Sequence, residues 1–329
     1  ENLQREFGNA GRGLIVPLKL AGTNEPPDYA ITSPNSWNRS NCITRAATEE
    51  PGMSGMSIVT YDRHIELDIK TKEPFDRIWA FHHREAPLLT VPDSLSDGIC
   101  CPALDNDEMT LIPLSRPVEQ IRLCASVADS SFAHSAFYGF SLENGRSGVL
   151  YHSFGINGNT YAAINRNPQI VRQASGLCPD LVIVSLGTND SYGASFDPAD
   201  ADVQITRLID SIRRNMPASV LLLTTPMEHC RRIRSKGRTY RKPNPNACAM
   251  RECILRQAAL YRLPVWDFYA AAGGDGAMGR WADLGIANAD RVHLSREGYR
   301  LQGKLFYDAI MKAYDHYRKH NGELKILLN

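Results

Sequence analysis

Residues 182–193 read VIVSLGTNDSYG: five mostly apolar positions break into Gly187, Thr188, Asn189 and Asp190. A short apolar run closed by turn-forming residues is the pattern of a strand buried on both faces, and such strands belong to parallel sheets. Three further runs share the form: GVLYHSFG (148–155), SVLLLTTP (219–226) and LPVWDFY (263–269). Helices are predicted between and after them, over 160–174, 199–215, 247–262 and 296–318. In the last of these Leu301, Leu305, Ile310 and Ala313 fall near one face. Strands alternating with helices predict an α/β domain over 143–329 with a parallel sheet covered on both sides. Ligands of such sheets sit beyond the carboxyl ends of the strands.

Upstream the grammar differs. HIELDIK (64–70) alternates strictly, IRLCA (121–125) does so again, and Pro, Gly, Asn and Asp punctuate the text between. A β-sandwich is predicted over 15–142.

Composition narrows the function classes. Thirty-seven basic residues against thirty-six acidic ones leave a net charge of +1 on 329 residues, so no global field favours nucleic acid or an anionic membrane. No apolar run approaches the length of a membrane span. The eight cysteines show no zinc-ligand spacing, and the vicinal pair Cys100 and Cys101 is not expected to bridge. His82 and His83 are adjacent, so in a strand they point to opposite faces and cannot share a metal. No metal and no organic cofactor is expected.

Three polar elements fall where strands end. After the first run comes Gly155-Ile156-Asn157-Gly158-Asn159-Thr160, where a glycine brings its N–H close to a ligand without a Cβ in the way. After the second comes Asn189, whose amide can donate. Gly158 and Asn189 together would make an oxyanion hole for acyl transfer. In ADRVHLSREGY (289–299), Asp290 and His293 stand three apart just before the last predicted helix. At that spacing the carboxylate can fix the imidazole's tautomer while the other ring nitrogen faces a nucleophile.

This order of blocks resembles the SGNH (GDSL-type) hydrolases, whose signature carries Ser, Gly, Asn and His. Gly158, then Gly187-Thr188-Asn189-Asp190, then Asp290 and His293 match three of the four blocks over roughly residues 145–320. The resemblance implies a doubly wound sheet of flavodoxin-like order, Gly158 and Asn189 as oxyanion donors, His293 as general base and Asp290 as its orienting acid. The Gly-Asp-Ser block is absent, and Ser153, Ser185, Ser191 and Ser295 stand where the family does not place its nucleophile. ENLQREFGNAGRG (1–13) then reads as the end of the family's first helix and the turn after it, with the nucleophile expected upstream of Glu1. A β-rich stretch between the first and second blocks, with FGNAGRGLIVPLKLAGTNEP (7–26), is similar to peptidoglycan O-acetylesterases and related carbohydrate esterases with an inserted carbohydrate-binding-like sandwich. The resemblance thus implies residues 1–14 and 143–329 as hydrolase domain, an acetylated polysaccharide or peptidoglycan as partner, and a periplasmic or secreted location with an upstream signal peptide.

HCRRIRSKGRTYRKPNPN (229–246) follows a strand end and reads as a loop beside the site. It is either a solvated segment or a set of arginines (Arg231, Arg232, Arg234, Arg238, Arg241) for substrate carboxylates. Tyr192 and Trp281 are candidates for a sugar-stacking wall, and Trp37 and Trp79 for binding in the sandwich; each is also an ordinary core or rim residue type. A lipase or thioesterase on the same scaffold, and a non-catalytic glycan-binding protein, are the competing readings.

Overall fold

The computed structural model describes residues 1–22, 26–43, 51–97, 101–103, 106–128 and 132–327. Cys100, and with it the Cys100–Cys101 reading, lies outside them, as do residues 23–25 of the 7–26 stretch. The chain divides into two compact units, Leu3–Pro179 with Arg214–Pro217, and Asp180–Arg213 with Ala218–Asn329.

The first unit opens with helix α1 (Asn2–Phe7). Its strands are β1 (Gly13–Ile15), β2 (Tyr29–Thr32), β3 (Asn38–Asn41), β4 (Met56–Thr60), β5 (His64–His82), β6 (Cys101–Ala103), β7 (Asn106–Ser126) and β8 (Ser135–Glu143). All eight join one antiparallel sheet in the order β3-β4-β8-β5-β7-β6, with β1 on β8 and β2 on β5. Gly13 and Leu14 already belong to that sheet. The alternation of residues 64–70 does what its period requires: Ile65, Leu67 and Ile69 are fully buried while their neighbours are not. Each such burial contributes roughly 1.5–3 kcal/mol. The long β5 slips register between Lys70 and Phe75 and again between Phe75 and Arg77. Bulges of this kind bend a strand, and residues from both halves of β5 share one core with Phe137, Tyr138 and Phe140. A buried Glu108 carboxylate is held there by Gln169, Gln173 and Arg172 at 2.8–2.9 Å.

Two expectations in this unit are corrected. GVLYHSFG forms no strand; Val149 makes a single parallel bridge to Asn9, and Tyr151 and Phe154 face solvent. An apolar run becomes a strand only where a neighbour completes its ladder, and this one meets a single residue. The predicted helix over 160–174 is two, α2 (Tyr161–Asn165) and α3 (Gln169–Ala174), because Pro168 between them lacks an N–H and disfavours helix at the residue before it.

The second unit carries the parallel sheet: β9 (Leu181–Ser185), β10 (Val220–Thr224) and β13 (Val265–Trp266), ordered β13-β10-β9. Its helices are α4 (Thr188–Tyr192), α5 (Pro198–Asn215), α6 (Pro245–Tyr261), α7 (Phe268–Ala271), α8 (Ala277–Asp283) and α9 (Arg296–Leu327). The architecture is α/β, with strands and helices alternating as their patterns require. Leu301 and Leu305 of α9 pack on a core of Phe268, Met278, Trp281 and Leu294, and Phe306 lies 4.8 Å from the Trp266 ring. From residue 312 to 320 the same helix is exposed. Between β10 and α6 lies a two-stranded hairpin, β11 (Cys230–Ser235) and β12 (Arg238–Pro243), where a loop was expected. Lys236 and Gly237 at its tip both have positive φ (46° and 74°), as a tight turn of the I′ kind needs. Among the described residues no helix is long and apolar enough to cross a membrane, and Cys42, Cys124, Cys178, Cys230, Cys248 and Cys253 are free thiols.

Candidate active site

Two residues past β9, Gly187 is buried with φ of 115°. A Cβ there would be strained and would meet Met250 and Pro226 at 3.1–3.3 Å. Glycine therefore lets the chain turn at once from strand into α4, which puts Asn189 in the first turn, exposed beyond the strand's carboxyl end. Ser191, one turn on, is buried; its hydroxyl donates to the Gly187 carbonyl at 2.7 Å. A hydroxyl so placed serves the backbone and faces no solvent.

The end of α4 is clamped from a distance. The buried Asn244 side-chain amide donates to the carbonyls of Ser191 at 2.8 Å and Tyr192 at 3.4 Å, and Asn246 donates to that of Gly193 at 2.8 Å. These are the orphan acceptors any helix end leaves. Asn244 also caps α6, its oxygen accepting from Asn246 N, and its amide lies 3.2 Å from Nε2 of His229. With Nε2 accepting, His229 carries its proton on Nδ1, and burial pushes its pKa down, against the raising effects of the Met227 carbonyl and Glu228. Tyr192 stacks on the His229 ring at 6.1 Å and is part-exposed. The Asn244–His229 clamp was missed in the sequence, although Asn-Pro-Asn ahead of a helical pattern is a readable cap signal. Replacing Asn244 by alanine is expected to lower stability by about 2 kcal/mol, because buried carbonyls lose their donor. Urea denaturation measures it, and a loss under about 0.5 kcal/mol, the level of an indifferent surface change, would show that the clamp contributes nothing.

Asp290 and His293 lie in a tight turn before α9. Ala287 bridges Leu294, Asn288 N donates to the His293 carbonyl at 2.8 Å, and Arg291 turns the chain with φ of 54°. The Asp290 Oδ1 accepts from the backbone N–H of Val292 and His293 at 2.9 and 3.0 Å, and its Oδ2 accepts from Nδ1 of His293 at 2.7 Å. Burial alone would raise this carboxyl; the hydrogen bonds from the His293 ring and the two backbone N–H groups outweigh it and hold the pKa at about 2. The carboxylate is thus ionised and fixes the ring with its proton on Nδ1. Nε2 is left as a base, on a side chain 65 % exposed. Ser295 is occupied as the cap of α9, its hydroxyl accepting from Gly298 N at 3.3 Å.

The hairpin is tied to this turn. Cys230 N donates to the Arg291 carbonyl at 2.8 Å and the Arg241 guanidinium to the Asp290 carbonyl at 2.6 Å. Arg231 is half-buried and Arg232 exposed. Trp281 is instead a core residue, 7 % exposed, donating from Nε1 to the Ala272 carbonyl at 3.0 Å and packed edge-on to Phe268. No sugar can stack on it there. Trp37 likewise packs edge-on against Phe137 in the first unit. Gly158 belongs to the first unit, exposed, with φ of 85° in a turn closed by Asn159 N on the Ile156 carbonyl at 3.1 Å. The structure therefore joins Asp290 to both His293 and Arg241 by hydrogen bonds, and puts Asn189 and Tyr192 on the helix that the Asn244 clamp holds.

Residues 128–301 match the model of the GDSL-like lipase/acylhydrolase family. No curated protein matches the chain. Among solved structures, a peptidoglycan O-acetylesterase is 18 % identical and superposes with a TM-score of 0.74 over 94 % of this chain and 84 % of its own. A GDSL-like lipase from Bacteroides thetaiotaomicron is 21 % identical with a TM-score of 0.37, over 48 % of this chain and 74 % of its own.

Proposed function

Because the chain belongs to the GDSL-like lipase/acylhydrolase family, we propose that it is a serine esterase that removes O-acetyl groups from peptidoglycan or another polysaccharide. The observation that carries this reading is the 2.7 Å Asp290–His293 bond, which leaves an exposed Nε2 ready to take a proton. In this mechanism a serine supplied from upstream of Glu1 loses its proton to Nε2 as it attacks the acetyl carbonyl. The Asn189 amide stabilises the oxyanion. Asp290 stabilises the imidazolium, which returns the proton to the departing sugar oxygen; water activated by the same histidine then frees acetate. The engaged hydroxyls of Ser191 and Ser295 support a nucleophile from elsewhere.

The fold likeness to a peptidoglycan O-acetylesterase across nearly the whole chain supports the substrate class. In the same reading the antiparallel sheet of residues 13–143 is an inserted glycan-binding module, and the protein acts outside the cytoplasm, where peptidoglycan is. The test uses the natural full-length protein, O-acetylated peptidoglycan and acetylated xylan, with released acetate measured and a fluorophosphonate label mapped by mass spectrometry. Acetate release with the label on a serine upstream of Glu1 is expected. Cleavage of long-chain acyl esters with no acetate from either polymer would overturn the substrate class, and a label on Ser191 or Ser295 the nucleophile.

A further inference from the structure

Residues 231–242 hold five arginines and two lysines and no acid, in a chain whose total net charge is only +1. The hairpin's register divides them. Arg231 pairs with Lys242, and Arg232 pairs with Arg241. Side chains alternate along a strand, so Arg232, Arg234 and Arg241 share one face. That face is the one at the candidate catalytic turn, because Arg241 reaches the Asp290 carbonyl from it at 2.6 Å. Like charges directly opposite on an antiparallel ladder repel. Arg232 and Arg234 are exposed and form no ion pair among the described residues. The repulsion is left for a ligand to relieve.

We propose that this arginine face binds carboxylates of the glycan on either side of the acetyl ester, so that the enzyme selects an acidic polymer. The inference rests on the acetylesterase reading for its substrate. Guanidinium suits carboxylate recognition, because its planar fork meets a carboxylate with two parallel N–H···O bonds. Two sources offer that chemistry, stem-peptide carboxylates of peptidoglycan and uronic acids of a plant-type polysaccharide. A strand pair fastened to the Asp290–His293 turn by Cys230 N and Arg241 sets such a contact at a fixed distance from His293.

Binding, measured without turnover, tests this separately from the reaction. The full-length protein is titrated with soluble peptidoglycan fragments and with oligogalacturonate, each with its carboxylates free or converted to neutral amides. Free carboxylates are expected to bind and the amidated forms to bind about 30-fold or more weakly, as the loss of two charge-assisted contacts implies. Arg232→Gln/Arg234→Gln is expected to cause the same loss with an unshifted melting transition, and Arg232→Lys/Arg234→Lys an intermediate one. Whichever polymer responds identifies the source. Binding indifferent to amidation or to both variants would overturn the inference even if acetate is released. So would tighter, equally arginine-dependent binding to duplex DNA or anionic vesicles, which would make the face a general anion trap.

Discussion

Replacing His293 by alanine in the full-length protein is expected to lower kcat/KM for a small acetyl ester by on the order of 10⁴ to 10⁶-fold, and Asp290→Asn by about 10⁴-fold. The two losses have different causes. Alanine would remove the candidate base. Asparagine keeps the shape, but its amide nitrogen would donate where Oδ2 now accepts, favouring the tautomer with the proton on Nε2. The pH profile adds a check. Asp290, held at about 2, stays ionised throughout a normal assay range, so an acid limb between pH 5 and 7 belongs to another group. Its folded pKa lies below its ordinary value of 3.8. Its contribution to stability is therefore complete above about pH 4 and is lost as pH falls toward 2. Activity that survives His293→Ala unchanged would overturn the assignment of the base.

Gly298→Ala is expected to be the more damaging change to the fold, despite adding one methyl on a helix. A Cβ at Gly298 would lie 1.9 Å from the Ile286 carbonyl oxygen and 3.0 Å from Leu294. Backbone must move, because that carbonyl already accepts from Ser295 N at 3.1 Å. Overpacking of this kind costs about 3 kcal/mol. The moved residues flank His293, and a displacement of about 1 Å at a reacting group costs on the order of 10²-fold in rate. Thermal denaturation and kcat read the two effects. A variant with wild-type melting and turnover would show that α9 does not hold the turn through this contact.

What was readable in the sequence follows from range. The strands at 181–185, 220–224 and 265–266 were visible because their runs are mostly apolar, although the burial on both faces that such runs suggested is not met: Leu181 and Val220 are exposed and Val184 alone of β9 is buried. Asp290 and His293 were visible because their bond spans three residues. Asn244 was not read as a clamp, since its partners stand 15 and 53 residues away. GVLYHSFG misled for the converse reason: its residues are strand-like, yet a ladder depends on a distant neighbour. Pro168 and the Lys236-Gly237 turn were local signals that a broader helical or loop pattern overrode. Trp281 is by residue type more often core or rim than wall, and its burial and hydrogen bond to Ala272 place it in the core.

Helix α9 is 32 residues long, about 48 Å at the usual rise. Its first three turns are pinned by Gly298, Leu301, Leu305 and Phe306, while residues 312–320 are turned to water. A helix held by packing at one end opens from the other, so local opening free energy falls along α9 from near the global value toward that of a fraying terminus. The histidine sits at the tight end. Thermal breathing of the last turns is therefore expected to leave the candidate base in place, and the slowest-exchanging amides of this helix are expected beside the Asp290–His293 turn.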